Sequence, residues 1–211
     1  MKVLYWNCRG VSNLSTRRVL KDLCLTQHPD ILCLAEPMCA FSSIPARFWR
    51  SIRLNLVAQN DKALPSLWVF CNSAVDNFQV IQSHSQHVSV SFLFNGVLIF
   101  GSFIYASCDY IVRRDLWDSL SSLHVTGPWL VLGDFNSVMG AHETTGIIKR
   151  RSCEDFRAGV TLCNLIDLDT QGPCHTWRGS RGGRIVMSRL DRAFCNEQFP
   201  DYWRQIASIC L

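Results

Sequence analysis

The sequence lacks three things that would each have decided much. It has no C-x-x-C pair, so its eleven cysteines cannot be read as a zinc ribbon or a redox pair. They sit singly, mostly inside apolar runs (Cys33 in ILCL, Cys71 in WVFC, Cys163 in TLCN), which suits buried thiols in a reducing compartment better than a disulfide scaffold. It has no apolar run approaching the roughly 20 residues that cross a bilayer. It has no signal-peptide pattern either, because Met1 leads directly into KVLYWN. The expectation is an intracellular protein of the nucleus or cytoplasm, neither secreted nor membrane-bound, with no obligate protein partner deducible. Charge is scarce at 18% and nets only +4, so an acidic partner such as nucleic acid is permitted without being demanded. With 48% hydrophobic residues in 211, a large core is affordable. No Pro/Ser-rich linker or repeat divides the chain, so residues 1–211 are expected to form one domain.

Short strands and helices alternate along the chain. Val3 to Trp6 reads as a strand leading into Asn7. Ser15 is placed to cap a helix with Val19, Leu20, Leu23 and Cys24 at helical spacing. DILCLA (Asp30 to Ala35) is a buried strand ending at Glu36, and Pro37 ends it. A helix with Phe48 and Trp49 and a strand over Leu67 to Cys71 follow. His87 to Phe94 and Val97 to Ile104 flank Asn95-Gly96, a strong hairpin signal. A helix over Arg113 to Leu123 precedes WLVLGDFN, where Gly133 permits a tight turn. Ser152 to Asp155 reads as a capping box for a helix reaching Cys163. Thr176-Trp177, the Gly179 to Gly183 turn and Arg184 to Phe194 read as a last hairpin, and Gln205 to Cys210 as the start of another strand.

Polar residues recur where apolar runs end: Asn7, Glu36, Tyr105, and Asp134 with Asn136. Asp191 lies within SRLDR. Singly, each has an ordinary structural reading: Asn7, Asp134 and Asn136 as turn residues, Glu36 as a solvated strand end, Tyr105 as amphipathic core, Asp191 as an ion-pair partner of Arg189 or Arg192. Together they match what phosphodiester hydrolysis demands. That reaction takes a hard divalent cation held by one or two carboxylates, a base that orients water, and donors aimed at charge on phosphorus. Glu36 suits the metal, Asp134 the water, and Asn7, Asn136 and Tyr105 the phosphate oxygens.

WNCRG, LAEP, FIYAS, LGDFN, HTW and SRLDR occur in the order of the endonuclease/exonuclease/phosphatase family, which the chain resembles over essentially its whole length. The apurinic-type endonuclease domain of plant LINE retrotransposons is the variant it resembles most. The resemblance implies an α/β (α+β) four-layer sandwich of two mixed sheets flanked by helices, and Mg²⁺- or Mn²⁺-dependent phosphodiester hydrolysis of DNA or RNA. It implies Glu36 as metal ligand with Asn7 beside it, Tyr105 as a phosphate or leaving-group contact, Asp134 as the water-positioning carboxylate and Asn136 as a phosphate-binding amide. Trp177 and Arg189 would bind substrate, and Asp191 would orient a histidine.

The family places that histidine in a Ser-Asp-His segment after the final helix. The histidines here are His28, His84, His87, His124, His142 and His175, none after Asp191. The expectation is therefore a domain incomplete at its C-terminus, lacking its last strand and impaired in hydrolysis. Arg9 also stands where many relatives carry an acidic or amide side chain. Alternatives are a catalytically dead nucleic-acid-binding remnant and a phosphatase of small phosphorylated molecules. Arg178, Arg181, Arg184, Arg189 and Arg192 near the last hairpin, and Lys149, Arg150 and Arg151 in a loop, suit phosphate contacts or merely a solvated surface.

Overall fold

The computed structural model describes residues 1–203 and 205–211. The expected α/β class is present, as mixed sheets with few helices, and the chain divides into two compact units, Met1–Phe103 and Ile104–Leu211. No helix among the described residues is long and apolar enough to cross a membrane.

The first unit opens with β1 (Val3–Asn7), α1 (Leu14–Gln27) and β2 (Ile31–Ala35). Next come α2 (Ala46–Ile52), β3 (Asn55–Gln59) and β4 (Leu67–Cys71). The four strands form one mixed sheet in the order β1-β2-β4-β3, with β1 parallel to β2 and the other pairs antiparallel. All five residues of β2 and all five of β4 are buried, as their unbroken apolar runs require. One face carries Leu20 and Cys24 of α1 and an aromatic cluster of Phe41, Trp49, Trp68 and Phe70. The cap of α1 is Asn13, whose Oδ1 accepts from the Ser15 N–H at 2.9 Å, and not Ser15, which lies inside the first turn.

The antiparallel pair β5 (Asp76–His84) and β6 (His87–Phe94) follows, with β7 (Val97–Tyr105) next to β6. Asn95 and Gly96 have φ of 51° and 78°, the left-handed pair that a two-residue hairpin turn needs. β7 carries the chain into the second unit.

There, α3 (Arg114–Ser121), β8 (Trp129–Asp134) and α4 (Arg150–Leu162) precede two-residue strands β9 (Ile166–Asp167) and β10 (Thr170–Gln171). Then come β11 (Trp177–Arg181), β12 (Arg184–Ser188), β13 (Asp191–Cys195), α5 (Phe199–Tyr202) and β14 (Ser208–Ile209). β8 is flanked by the end of β7 and by antiparallel β13, and β13 by β9. The expected strand at Gln205 to Cys210 is β14, which pairs parallel with β10. The run Arg184 to Phe194 is two strands: β12 closes the hairpin with β11, and β13 leaves to join β8.

The core of this unit is aromatic. Phe135, fully buried, stacks on Trp117 at 5.9 Å and meets Phe156 and Phe194 at 5.4 and 5.2 Å. Gly159 lets α4 lie against α3, because a Cβ there would fall 2.2 Å from the Trp117 ring. The expected capping box at Ser152 is absent. α4 starts at Arg150 with no side-chain cap, and Ser152 sits within its first turn. Arg150 and Arg151, expected in a loop, belong to that turn as well.

Candidate active site

In the first unit the parallel pair β1/β2 ends in step, Asn7 opposite Ala35, and the pairing runs on beyond the strands. Cys8 N–H donates to the Ala35 carbonyl, Gly10 N–H to Glu36 and Val11 N–H to Pro37, at 2.8 to 3.0 Å. Glu36 itself sits at φ 52°, and its own N–H donates to Ser66 O. A left-handed conformation at a glutamate costs roughly 1–2 kcal/mol, and such strain concentrates at functional sites. It turns the chain so that Asn7 and Glu36, 29 residues apart, meet: Asn7 Nδ2 donates to Glu36 Oε1 at 2.6 Å.

That bond orients the Asn7 amide and leaves its Oδ1 buried without a hydrogen-bond partner. A buried carbonyl oxygen costs free energy unless something polar meets it, and beside a carboxylate a hard cation is a fitting occupant. No group of three or more His, Cys, Asp or Glu side chains that could hold a metal ion exists among the described residues. Mg²⁺ does not require one, since it keeps waters and takes one or two carboxylates plus substrate oxygens. Glu36 and Asn7 thus fit such an ion. Cys8, next in sequence, does not compete for it in its resting state: burial pushes its thiol up to about 11, and it donates to the Ala35 carbonyl at 3.2 Å.

In the second unit the four residues of GDFN meet four different demands. Gly133 is not in a turn. It lies inside β8 at φ 147°, where a Cβ would fall 2.1 Å from the Ile104 carbonyl oxygen, so only glycine lets β8 lie this close to the end of β7. Asp134 follows, 5% exposed, its Oδ1 accepting the Asn136 N–H at 2.8 Å. Phe135 is the anchor in the aromatic core. Asn136 takes φ 47° and donates through Nδ2 to the Ala106 carbonyl at 2.9 Å. Ala106 N–H in turn donates to the Asp134 carbonyl at 2.8 Å. Tyr105, half-buried at the end of β7, therefore lies one residue from a backbone tied to both Asp134 and Asn136. The Asx-turn reading of this stretch is right in geometry: the bond runs from the Asn136 backbone N–H to Asp134, and it makes no use of the Asn136 side-chain amide.

Asp191 is the register partner of Asp134 across β13 and β8. The Thr176 Oγ1 accepts both the Leu190 and Asp191 N–H groups at 3.0 Å, which explains the threonine of HTW. The ion pair with Arg189 or Arg192 that gave Asp191 its ordinary structural reading is not formed. Fully buried Arg192 bonds Glu143 and, at 2.6 Å, Asp167, while Arg189 bonds Asp167 at 3.0 Å and approaches Glu143 at 3.7 Å. Arg189 is thus committed to a structural network and would have to loosen it to hold substrate. Arg178, Arg181 and Arg184 are exposed on the β11–β12 hairpin, whose turn is Gly182-Gly183. Trp177, half-buried, folds over Gly179 with Arg181 5.4 Å above its ring.

Sequence reasoning missed Thr176, Glu143 and Arg113. Arg113, 2% exposed, donates to the carbonyls of Ser107 (2.5 Å) and Asn136 (3.1 Å) and to Ser152 Oγ (2.7 Å). No sequence pattern pointed to it, because two of its acceptors are backbone.

Residues 4–206 match the family described as Endonuclease/Exonuclease/phosphatase. No curated protein matches the chain in sequence. Among solved structures it resembles the endonuclease domain of TRAS1, a telomere-specific non-LTR retrotransposon, at 14% identity and TM-score 0.63, covering 95% of this chain and 87% of that one. An AP endonuclease from Archaeoglobus fulgidus matches at 12% identity and TM-score 0.67, with 93% and 86% covered. The 3' phosphatase NExo from Neisseria, bound to product DNA hairpin, matches at 15% and 0.63, with 93% and 87% covered.

Proposed function

Because the chain belongs to the endonuclease/exonuclease/phosphatase family, we propose that it is a metal-dependent phosphodiester hydrolase of DNA, an endonuclease of LINE-retroelement type. The observation that carries this reading is the GDFN turn, where a buried Asp134 and a left-handed Asn136 are held by separate hydrogen bonds beside Asp191. Asp134 orients and deprotonates the attacking water. Asn136 and Tyr105 donate to phosphate oxygens as charge builds on them. Glu36 and Asn7 Oδ1 would hold Mg²⁺ or Mn²⁺, and the ion would supply Lewis-acid stabilisation of phosphate charge. Trp177 offers an aromatic face and the three exposed arginines of its hairpin offer phosphate contacts that carry no sequence information. The choice of DNA over a small phosphorylated molecule rests on that hairpin and on the likeness to a retrotransposon endonuclease domain and to a 3' phosphatase bound to product DNA hairpin.

Asp191 is suited to orient an imidazole, and residues 1–211 alone supply none after it. As a 211-residue species the chain is therefore expected to nick supercoiled plasmid slowly in Mg²⁺. Appending a strand with a family-like Asp-His pair should raise the rate by orders of magnitude, since members of a catalytic set act as a unit. The gain should vanish in Asp134→Ala and Glu36→Ala and fall steeply in Asp191→Asn. A folded, extended protein that leaves plasmid intact would overturn the nuclease assignment and favour the reading of a nucleic-acid-binding remnant.

A further inference from the structure

Arg113 is a buried cation with an unusual set of partners. It lies just before α3, and its three hydrogen bonds go to neutral acceptors: two backbone carbonyls and the Ser152 hydroxyl. It takes part in none of the ion pairs among the described residues, unlike Arg192, which is equally buried but bonds two carboxylates. Burial lowers its pKa, against the pull of nearby groups that include Asp155, Asp109 and Asp134. A buried charge met only by dipoles is expensive to keep. If packing alone were at stake, an apolar side chain of similar volume would serve as well or better.

What the guanidinium does instead is join three segments. One Nη1 bridges the Ser107 carbonyl, two residues after Tyr105, and the Asn136 carbonyl, while Nη2 reaches the first turn of α4. Ser152 Oγ also meets Ser137 Oγ at 3.2 Å, so the residue after Asn136 is tied to the same point. Asn136 sits at φ 47°, and its carbonyl is held by Arg113 while its side chain is held by Ala106. We propose that Arg113 is a positioning residue, which fixes the left-handed turn at Asn136 and thereby the direction of the amide offered to the scissile phosphate. The functional half of this statement rests on the nuclease reading; the geometric half does not. Lysine cannot replace it, because a single ammonium on a flexible stem lacks the planar fork that reaches the two carbonyls and the hydroxyl together.

Two measurements test it. In ¹⁵N spectra of the 211-residue chain, Arg113→Lys should release the Asn136 side-chain NH₂ from its bond to Ala106, seen as faster hydrogen exchange and a shifted resonance. Ser152→Ala, which keeps both carbonyl contacts, should shift the same resonance less, and it serves where Arg113→Lys fails to fold. A folded Arg113→Lys, or Ser152→Ala in its stead, with unchanged Asn136 NH₂ exchange overturns the proposal. The second measurement uses the tail-extended chain on supercoiled plasmid. Arg113→Lys should lower kcat roughly a hundredfold, the scale of an ångström-level misplacement, with KM little changed. On an Asn136→Ala background it should cost nothing further, whereas its effect on Tm should persist. Losses in kcat that multiply in the double variant overturn the proposal, since Arg113 would then act otherwise than through Asn136. Absence of nicking by the extended parent, with Asn136 released in Arg113→Lys, refutes the nuclease reading and leaves the positioning role standing.

Discussion

Substituting Gly133 by alanine probes whether the β8 edge is as tightly specified as its geometry implies. The added Cβ would sit 2.1 Å from the Ile104 carbonyl oxygen and 2.8 Å from the Ile104 carbonyl carbon and nitrogen. These are backbone atoms, which cannot swing away as a side-chain tip can. Ordinary carbon–oxygen contact lies well above 3 Å, so the end of β7 and β8 must part by about 1 Å. Overpacking of this kind costs about 1–3 kcal/mol, and an L residue forced to φ 147° costs a further 1–3 kcal/mol or so. Together they remove about 2–6 kcal/mol, a large part of the 5–15 kcal/mol typical of a domain. In a chain of this size that is a fall in Tm of roughly 5–20 °C. The parting would also stretch the 2.8 Å bond from Ala106 N–H to the Asp134 carbonyl, and with it the Ala106 anchor of Asn136. Thermal melts read by circular dichroism, with urea titrations as a second estimate, measure the loss. A Tm within 2 °C or so of the parent would show that β7 and β8 do not approach this closely, and the account of Gly133 would fail.

Phe135→Ala removes the ring that stacks on Trp117 and should cost about 3–5 kcal/mol, read in urea unfolding; a loss under about 1 kcal/mol would mean the turn is not anchored by it. His87 is fully buried and bonded through Nδ1 to Ser89 Oγ, and burial takes its pKa down from 6.5 to about 3. The neutral form is thus favoured on folding: this contribution is complete above pH 6.5 and is lost as pH falls towards 3, reaching about 2 kcal/mol at pH 5. Chemical denaturation at pH 7.5 and pH 5 should show that loss, and a His87→Gln variant should show less pH dependence; equal slopes in the two proteins would refute it. Mg²⁺ should bind the chain weakly, at millimolar levels or worse, because it dehydrates reluctantly and waits for substrate oxygens. Calorimetric titration should lose this binding in Glu36→Ala and weaken it in Asn7→Ala, whereas a micromolar site surviving Glu36→Ala would place the metal elsewhere.

Much of this arrangement was legible in the sequence, and the parts that were not share a physical cause. β2 and β4 announced themselves as unbroken apolar runs because both faces are covered. The Asn95-Gly96 hairpin did so because few dipeptides tolerate two left-handed residues in succession. Asn7, Glu36, Tyr105, Asp134 and Asn136 stood out as polar residues ending such runs, and each lies at or just past a strand end. The strands β9, β10 and β14 have two residues apiece, too few for any period to show. Arg192 and Glu143 are 49 residues apart, and their pairing follows from β13 joining β8, which local patterns do not encode. Gly133 was misread as a turn residue because a glycine needed for close approach and one needed for a turn look alike in sequence.

The contrast between a structural and a chemical reading of Asp134 and Asn136 dissolves once their surroundings are counted. An Asx-turn satisfies the Asn136 N–H with the Asp134 carboxylate, and in doing so it fixes the carboxylate's orientation. Phe135 between them gives that turn a buried anchor, Gly133 sets its distance from β7, and Ala106 and Arg113 hold the side chain and carbonyl of Asn136. Each of these would stabilise the fold in the absence of any substrate. Collectively they restrain two polar side chains at a strand end, so part of the entropy of ordering them is met during folding. A turn that merely reversed the chain would need the Asx bond alone. Four further constraints converge on these two residues, and such preorganisation is what the proposed role in charge stabilisation calls for.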